Sequence, residues 1–229
     1  MIGRRNLSQS GLTIEATVAS EARMTDFVEV RDEPRHRHRF ENAYARVYDV
    51  LVPPGDTTLF HRHTEDTLYV AIAPASILDQ TLGEEEWQPA NVEAGLCICR
   101  HHRRRPLTHR VSNAGTEVMR MIGVEVKQGP EKPNPEPVTG NGLRLAWERE
   151  RLRAYALGLE MNGSTGSLAS SFSGVLIMLA SGCVALSQAN APAVAMSLAP
   201  GDVLWLEHGQ PVIENVGPTP LESMLVEWR

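Results

Sequence analysis

The chain has 229 residues, and its 42% hydrophobic and 22% charged content is that of a soluble globular protein with one or two domains. The formal net charge of −6 argues against nucleic acid as a partner, because a nucleic-acid-binding surface is basic. No stretch is long and apolar enough to predict a membrane span. An odd count of three cysteines does not suit a disulfide framework, so we expect a cytoplasmic protein.

The N-terminal residues 1–24 are polar and lack hydrophobic periodicity, which predicts a disordered tail. They run up to a second methionine, Met24, which could be the true start of the protein. Strand-like sequence begins only after this point.

The remainder of the chain is dominated by short segments that alternate or are rich in β-branched residues. The clearest predicted strands are Ala43–Val52, Leu68–Ile72, Leu96–Cys99, Val118–Val126, Val175–Leu179, Val203–Leu206 and Leu221–Trp228. Glycine, proline, asparagine or aspartate separates most of them. Many short strands at regular spacing predict an all-β sandwich or closed barrel.

A segment rich in proline and glycine, residues 129–142, divides the chain. Its sequence GPEKPNPEPVTGNG has no apolar periodicity and predicts a semi-rigid, extended linker. We therefore predict two domains, residues 25–128 and residues 143–229.

The two predicted domains repeat each other. Asn113 and Gly115 correspond to Asn215 and Gly217 at an offset of about 102, and earlier positions such as Tyr48 and Tyr155 correspond at about 107. Seven of the eight histidines lie in the first copy. The pattern indicates a duplicated unit in which only the first copy kept a metal site.

Two histidine motifs in the first copy carry the chemistry. His61 and His63 are two positions apart, so on a strand they share a face, and His109 follows about 46 residues later at the start of His109-x3-Asn113. Three imidazoles from neighbouring strands suit one divalent iron, nickel, manganese or zinc ion.

Gly55-x5-His61-x-His63, followed by Pro106-x2-His109-x3-Asn113, resembles the two signature motifs of the cupin superfamily. The resemblance extends from about Phe27 through the second repeat. It implies a bicupin, with two tandem double-stranded β-helix barrels. It also implies that His61, His63 and His109 hold the metal.

The family usually adds a glutamate shortly after the histidine pair. In this chain Asp66 stands in that position, so it is a candidate fourth ligand or catalytic base, although it is shorter than glutamate. Glu65 is its neighbour and a second candidate catalytic carboxylate.

An arginine-rich insertion lies between Gly95 and His109. Its functional interpretation is an anion clamp for a carboxylate or phosphate, and the alternative is a solvated loop. His101 or His102 could also be a spare ligand. The predicted substrate contacts are Arg62, Tyr69, Arg100, His101, His102 and Arg103. A second charged run, Arg35–Arg39, is interpreted as a solvated segment.

The second copy offers no equivalent ligands. Leu168, Ser170 and Pro211 stand where the first copy has its three histidines, so we expect a single metal ion per chain. Cys97 and Cys99 are expected to be buried, because their counterparts are apolar.

Two functions stay open at this stage. The first is a mononuclear metal-dependent enzyme of the dioxygenase, isomerase, lyase or cyclase type, acting on a small oxygen-rich or acidic metabolite. The second is a non-catalytic ligand-binding or sensory protein. In both cases the expected partner is a small molecule, with no nucleic acid and no membrane, and a homodimer is possible.

Overall fold

The computed structural model describes residues 27–168, 172–188 and 192–229. The predicted N-terminal tail and Ser170 lie outside these residues. Within them, no helix is long and apolar enough to cross a membrane.

The described residues form β-strands and one short 3-10 turn, Val30–Asp32. In chain order the strands are β1 (Val28–Glu29), β2 (His36–Glu41), β3 (Ala45–Val52), β4 (His61–His63), β5 (Asp66–Ala71), β6 (Ala75–Thr81), β7 (Gln88–Val92), β8 (Cys97–Arg100), β9 (Leu107–Asn113), β10 (Met119–Val126), β11 (Leu143–Glu148), β12 (Leu152–Leu159), β13 (Phe172–Met178), β14 (Gly182–Ser187), β15 (Val194–Leu198), β16 (Val203–Gly209), β17 (Val212–Asn215) and β18 (Leu221–Trp228). The all-β fold class is confirmed.

Four sheets make two similar units. In the first unit the sheet β1-β4-β9-β6-β7 faces the sheet β2-β3-β10-β5-β8. In the second unit β11-β12-β18-β13-β16 accompanies β15-β14-β17. We call these units the first and second barrel.

One apolar cluster joins the two barrels. One face of β3, β5 and β10 packs against one face of β12, β13 and β18, and residues from both barrels are fully buried there. The cluster contains Ala45, Val47, Leu68, Val70, Ile122, Val124, Val126, Leu152, Ala154, Val175, Ile177, Met224, Val226 and Trp228. Cys97 and Cys99, expected to be buried, are partly buried and pack at its edge. Each barrel therefore depends on the other to cover this face.

The repeated residues form the same polar scaffold in both barrels. In the first barrel Tyr48 Oη donates to Glu125, which also accepts from the Arg46 guanidinium. In the second barrel Tyr155 and Arg153 make the same contacts to Glu227. The sequence similarity of the two copies at these positions is therefore explained by the contacts that hold each barrel together.

Matching asparagines complete the scaffold. Asn113 donates to the carbonyls of Val52 and Glu117 and accepts from the backbone of Gly115. Asn215 makes the corresponding contacts around Gly217. Because each amide pins a turn between two strands, losing it would leave buried backbone groups unpaired.

The linker is held against the second barrel. The Arg153 guanidinium, fully buried, donates to the backbone carbonyls of Asn134, Pro135 and Glu136 over 2.8–3.2 Å. The backbone N–H of Val138 donates to Tyr155 Oη. Sequence composition indicates an extended segment here, and the structure adds that it is fastened to one barrel.

Candidate metal centre

The interior of the first barrel is a cavity of about 890 Å³, open on one side. Side chains of every strand from β2 to β10 line it, together with the loop that follows β8. Strand alternation explains the lining, since every second residue points inward. Along β8, for example, Ile98 and Arg100 line the cavity while Cys97 and Cys99 face the second barrel.

Three histidines converge inside this cavity. His61 and His63 lie on β4, and the antiparallel pairing of β4 with β9 places His109 directly opposite His61. One ring nitrogen from each lies within 4.8 Å of the others. Of the histidine, cysteine and carboxylate side chains among the described residues, these three histidines lie close enough together to hold a metal ion.

The free ring nitrogens of the triad fit a shared ion. Nε2 of His63 and Nε2 of His109 face each other at 3.2 Å. Two nitrogens bound to one ion at about 2.1 Å each would lie roughly 3.0–3.4 Å apart. The donor set of neutral imidazoles suits divalent iron, nickel, manganese or zinc.

Each histidine has its other ring nitrogen engaged. His61 Nδ1 donates to the Leu59 carbonyl at 2.9 Å, and His109 Nδ1 donates to Asp79 at 2.8 Å. His63 Nδ1 lies 3.1 Å from Tyr69 Oη. Such contacts orient ligating imidazoles and fix the tautomer in which Nε2 keeps its lone pair. Sequence reasoning missed Asp79, because nothing near it in the chain points to His109.

Tyr69 links the triad to a further histidine. Its hydroxyl lies 3.2 Å from Nε2 of His102, whose ring stacks on His63 at a centroid distance of 4.9 Å. When His63 offers Nε2 to a metal, its Nδ1 carries the proton and donates to Tyr69 Oη. The Tyr69 hydroxyl must then donate to His102, so the three residues form one directed chain.

Burial keeps these imidazoles neutral. Desolvation is the largest cause that lowers the pKa of His61 to about 2 and the pKa values of His36 and His102 to about 4. The pKa of His63 is also well below its usual range, for the same reason. Neutral imidazole is the form that binds metals.

His36 corrects the interpretation of Arg35–Arg39 as a solvated run. It is 9% exposed and lines the cavity, and its ring lies edge-on to His61 at 4.6 Å. Its Nδ1 is buried and has no hydrogen-bond partner among the described residues. On β2 only His36 of the two histidines faces inward, because His38 is exposed and the strand register shifts after it.

The second barrel has leucine at four positions that match this network. The two barrels can be matched position by position through their strand registers and their shared polar scaffold. In this match four polar residues of the first cavity correspond to four leucines of the second barrel. The pairs are His36 and Leu143, His61 and Leu168, Tyr69 and Leu176, and Asp79 and Leu186. These leucines belong to or pack against the core of the second barrel. Their joint replacement indicates that His36, Tyr69 and Asp79 serve the same site as His61.

The two predicted carboxylates lie outside the cavity. Asp66 accepts a hydrogen bond from the backbone of Arg103 and lies 3.9 Å from His101 Nδ1. Regular alternation along β5 places Asp66 on the face of Leu68, away from Tyr69, so it does not complete the triad. Glu65 pairs with the Arg103 guanidinium at 2.6 Å and lines a separate polar cleft.

Two of the predicted substrate contacts also lie elsewhere. Arg62 stands between His61 and His63 on β4, so strand alternation turns it to the opposite face, where it lies over Phe27. Arg62 and Arg103 both line the polar cleft and not the metal cavity. Tyr69, Arg100, His101 and His102 do line the metal cavity.

Replacing Asp79 tests the outer support of the triad. We expect Asp79→Asn to weaken zinc or nickel binding about 10–100-fold, because His109 loses the charged acceptor of its Nδ1 proton. The measurement is competition with a chromophoric chelator. Glu84→Gln is the matched control, since Glu84 lines the same cavity without contacting a histidine. Equal losses in both variants would contradict this role.

Acid should destabilise the metal-free protein. In the unfolded chain histidines become protonated near pH 6.5. In the folded protein four of them have lowered pKa values and resist protonation, namely His36, His61, His63 and His102. The free energy of unfolding is therefore highest above about pH 6.5 and falls as the pH drops below it. We expect a loss of roughly 1 kcal/mol per histidine per pH unit. Urea unfolding between about pH 7 and pH 5 measures it. His102→Gln should flatten the dependence, and an unchanged slope would contradict the prediction.

Comparisons with known proteins give structural similarity alone. No protein-family model matches the chain, and no curated protein matches its sequence. A variant of salicylate 1,2-dioxygenase from Pseudoaminobacter salicylatoxidans, in complex with gentisate, is 11% identical with a TM-score of 0.58, over 84% of this chain and 74% of that one. Oxalate decarboxylase from Lactobacillus farciminis is 13% identical with a TM-score of 0.53, over 84% and 83%. The Cupin 2 conserved barrel domain protein from Leptotrichia buccalis is 8% identical with a TM-score of 0.50, over 84% and 87%.

Proposed function

We propose, because this chain has the two-barrel fold of the cupin superfamily, that it is a mononuclear metal-dependent enzyme acting on a small oxygen-rich or acidic metabolite. The observation that carries the proposal is the convergence of His61, His63 and His109 inside a roomy, open cavity. When bound, a divalent ion would supply Lewis acidity and open positions for substrate oxygen atoms or dioxygen.

The ligand set itself favours an acidic substrate. Three neutral imidazoles bring no negative charge, and Asp66, the expected carboxylate, faces away. Asp79 contributes one negative charge through His109. An anionic oxygen donor would therefore balance a divalent ion. Two of the similar structures are named for enzymes of organic acids, salicylate and oxalate.

The residues around the triad fix its hydrogen bonding. Burial lowers the pKa of His102, so its neutral imidazole accepts a hydrogen bond at Nε2 from the Tyr69 hydroxyl when His63 is in its ligating tautomer. This chain of hydrogen bonds holds the His63 ring in the orientation in which its Nε2 can bind a metal.

The test is turnover. Protein loaded separately with iron(II), manganese(II), nickel(II) or zinc(II) should convert a member of an organic-acid panel, followed by mass spectrometry in air and under nitrogen. Dependence on air would assign an oxygenase, and equal activity under nitrogen an isomerase, lyase or decarboxylase. Metal-loaded protein that binds acids but converts none would point instead to a non-catalytic binding protein.

A further inference from the structure

The arginines at the end of β8 and in the loop that follows it divide into two classes. Arg103 and Arg104 are already paired with glutamates, Glu65 and Glu150, each at 2.6 Å. Arg100 and Arg105 line the metal cavity, and neither guanidinium has a hydrogen bond or ion pair within the described residues. The insertion therefore presents two uncommitted cations to the cavity.

The rest of the cavity wall is largely apolar. Aliphatic and thioether side chains from six strands and the turn before β8 contribute to it, so a bound molecule would contact hydrocarbon as well as the polar residues. They are Val50, Val52, Ile77, Val92, Leu96, Ile98, Val111, Met119 and Met121. A cavity of about 890 Å³ is also far larger than a two-carbon acid requires.

We propose that the cavity binds an organic acid with an apolar middle, whose oxygen donor at one end reaches the histidine triad and whose carboxylate at the other end binds Arg100 and Arg105. The part of this inference that concerns the histidine triad rests on the proposed function, and the part that concerns Arg100 and Arg105 does not. Guanidinium groups suit the carboxylate end, because their planar N–H pairs match the two carboxylate oxygens. The apolar middle gains from burial against the valine and methionine walls.

Binding of chain-length analogues tests the proposal. Zinc-loaded protein is titrated calorimetrically with succinate, adipate, suberate and sebacate, and with octanoate as the acid that lacks a second carboxylate. We expect affinity to rise along the diacid series until the chain spans the cavity, and suberate to bind more tightly than octanoate. Arg100→Gln and Arg105→Gln should each weaken the best diacid about tenfold or more at unchanged zinc content.

Arg104→Gln is the matched control, because it removes the same charge from the same loop at a side chain paired with Glu150. It should leave affinity unchanged. An equal loss in this variant, equal binding of suberate and octanoate, or no binding of any acid would overturn the proposal.

Failure of the metal site on which the proposed function depends has a different signature. In that case the wild-type protein takes up no zinc, while octanoate binding to the metal-free protein still responds to Arg100→Gln and Arg105→Gln.

Discussion

Ending the chain after Gly142 is expected to abolish soluble expression of the first barrel. Truncation removes the whole partner face of the central core, β12, β13 and β18, and exposes a row of fully buried aliphatic side chains on β3, β5 and β10. An apolar face of that size drives aggregation. The measurement is the soluble fraction and the size-exclusion profile of the truncated chain beside the full chain.

A single substitution gives a graded version of the same test. Trp228 is 1% exposed, and its indole N–H donates to the Tyr44 carbonyl across the barrel interface. Trp228→Ala should lower the free energy of unfolding by about 3–5 kcal/mol. Met161→Ala, at a side chain 57% exposed, is the control and should change the free energy of unfolding little.

The truncated chain has its own contradicting outcome. If it gave a soluble, monomeric, metal-loaded first barrel, the second barrel would be dispensable.

Removing two of the three central histidines should remove the metal. Protein purified without chelator is expected to carry up to about one equivalent of a divalent transition metal, and His61→Ala with His109→Ala should reduce this to background. The physical reason is that one imidazole cannot hold the ion against water and buffer. Elemental analysis measures the content.

The control for this experiment is His208→Ala, which removes an exposed histidine of the second barrel. Its metal content should equal that of the unchanged protein. Unchanged metal content in the double variant would place the metal elsewhere and refute the assignment of the triad.

The sequence was sufficient for the fold and the core of the site because both are encoded locally. The spacing of His61 and His63 already places them on one strand face, and the repeat around Asn113 and Asn215 marks the turns that hold each barrel. The expectation of one candidate metal site, in the first barrel, follows from the same comparison of copies.

The errors came from strand phase. Motif position alone does not show that β5 begins at Asp66, with that carboxylate on the face of Leu68 and away from the cavity. Arg62, predicted as a substrate contact, faces away from the cavity because its neighbours His61 and His63 occupy the inward phase of β4. Because side chains alternate with a period of two, a shift of one residue exchanges cavity and exterior.

The omissions came from contacts between distant strands. Asp79 meets His109 only because β6 pairs with β9, and His36 reaches His61 only because β2 folds over the cavity. The comparison of the two copies held the missing signal. Leu186 and Leu143 are their counterparts, so both polar residues disappear together with the metal ligands.

The fastening of the linker bears on how a ligand reaches the metal. Arg153 binds three consecutive linker carbonyls, and the described residues of the two barrels share one apolar core, which opposes any swing of one barrel away from the other. Such a swing would expose that core to water. We therefore expect ligand entry to depend on the side chains that line the cavity, those of the arginine-rich loop among them, and not on separation of the barrels.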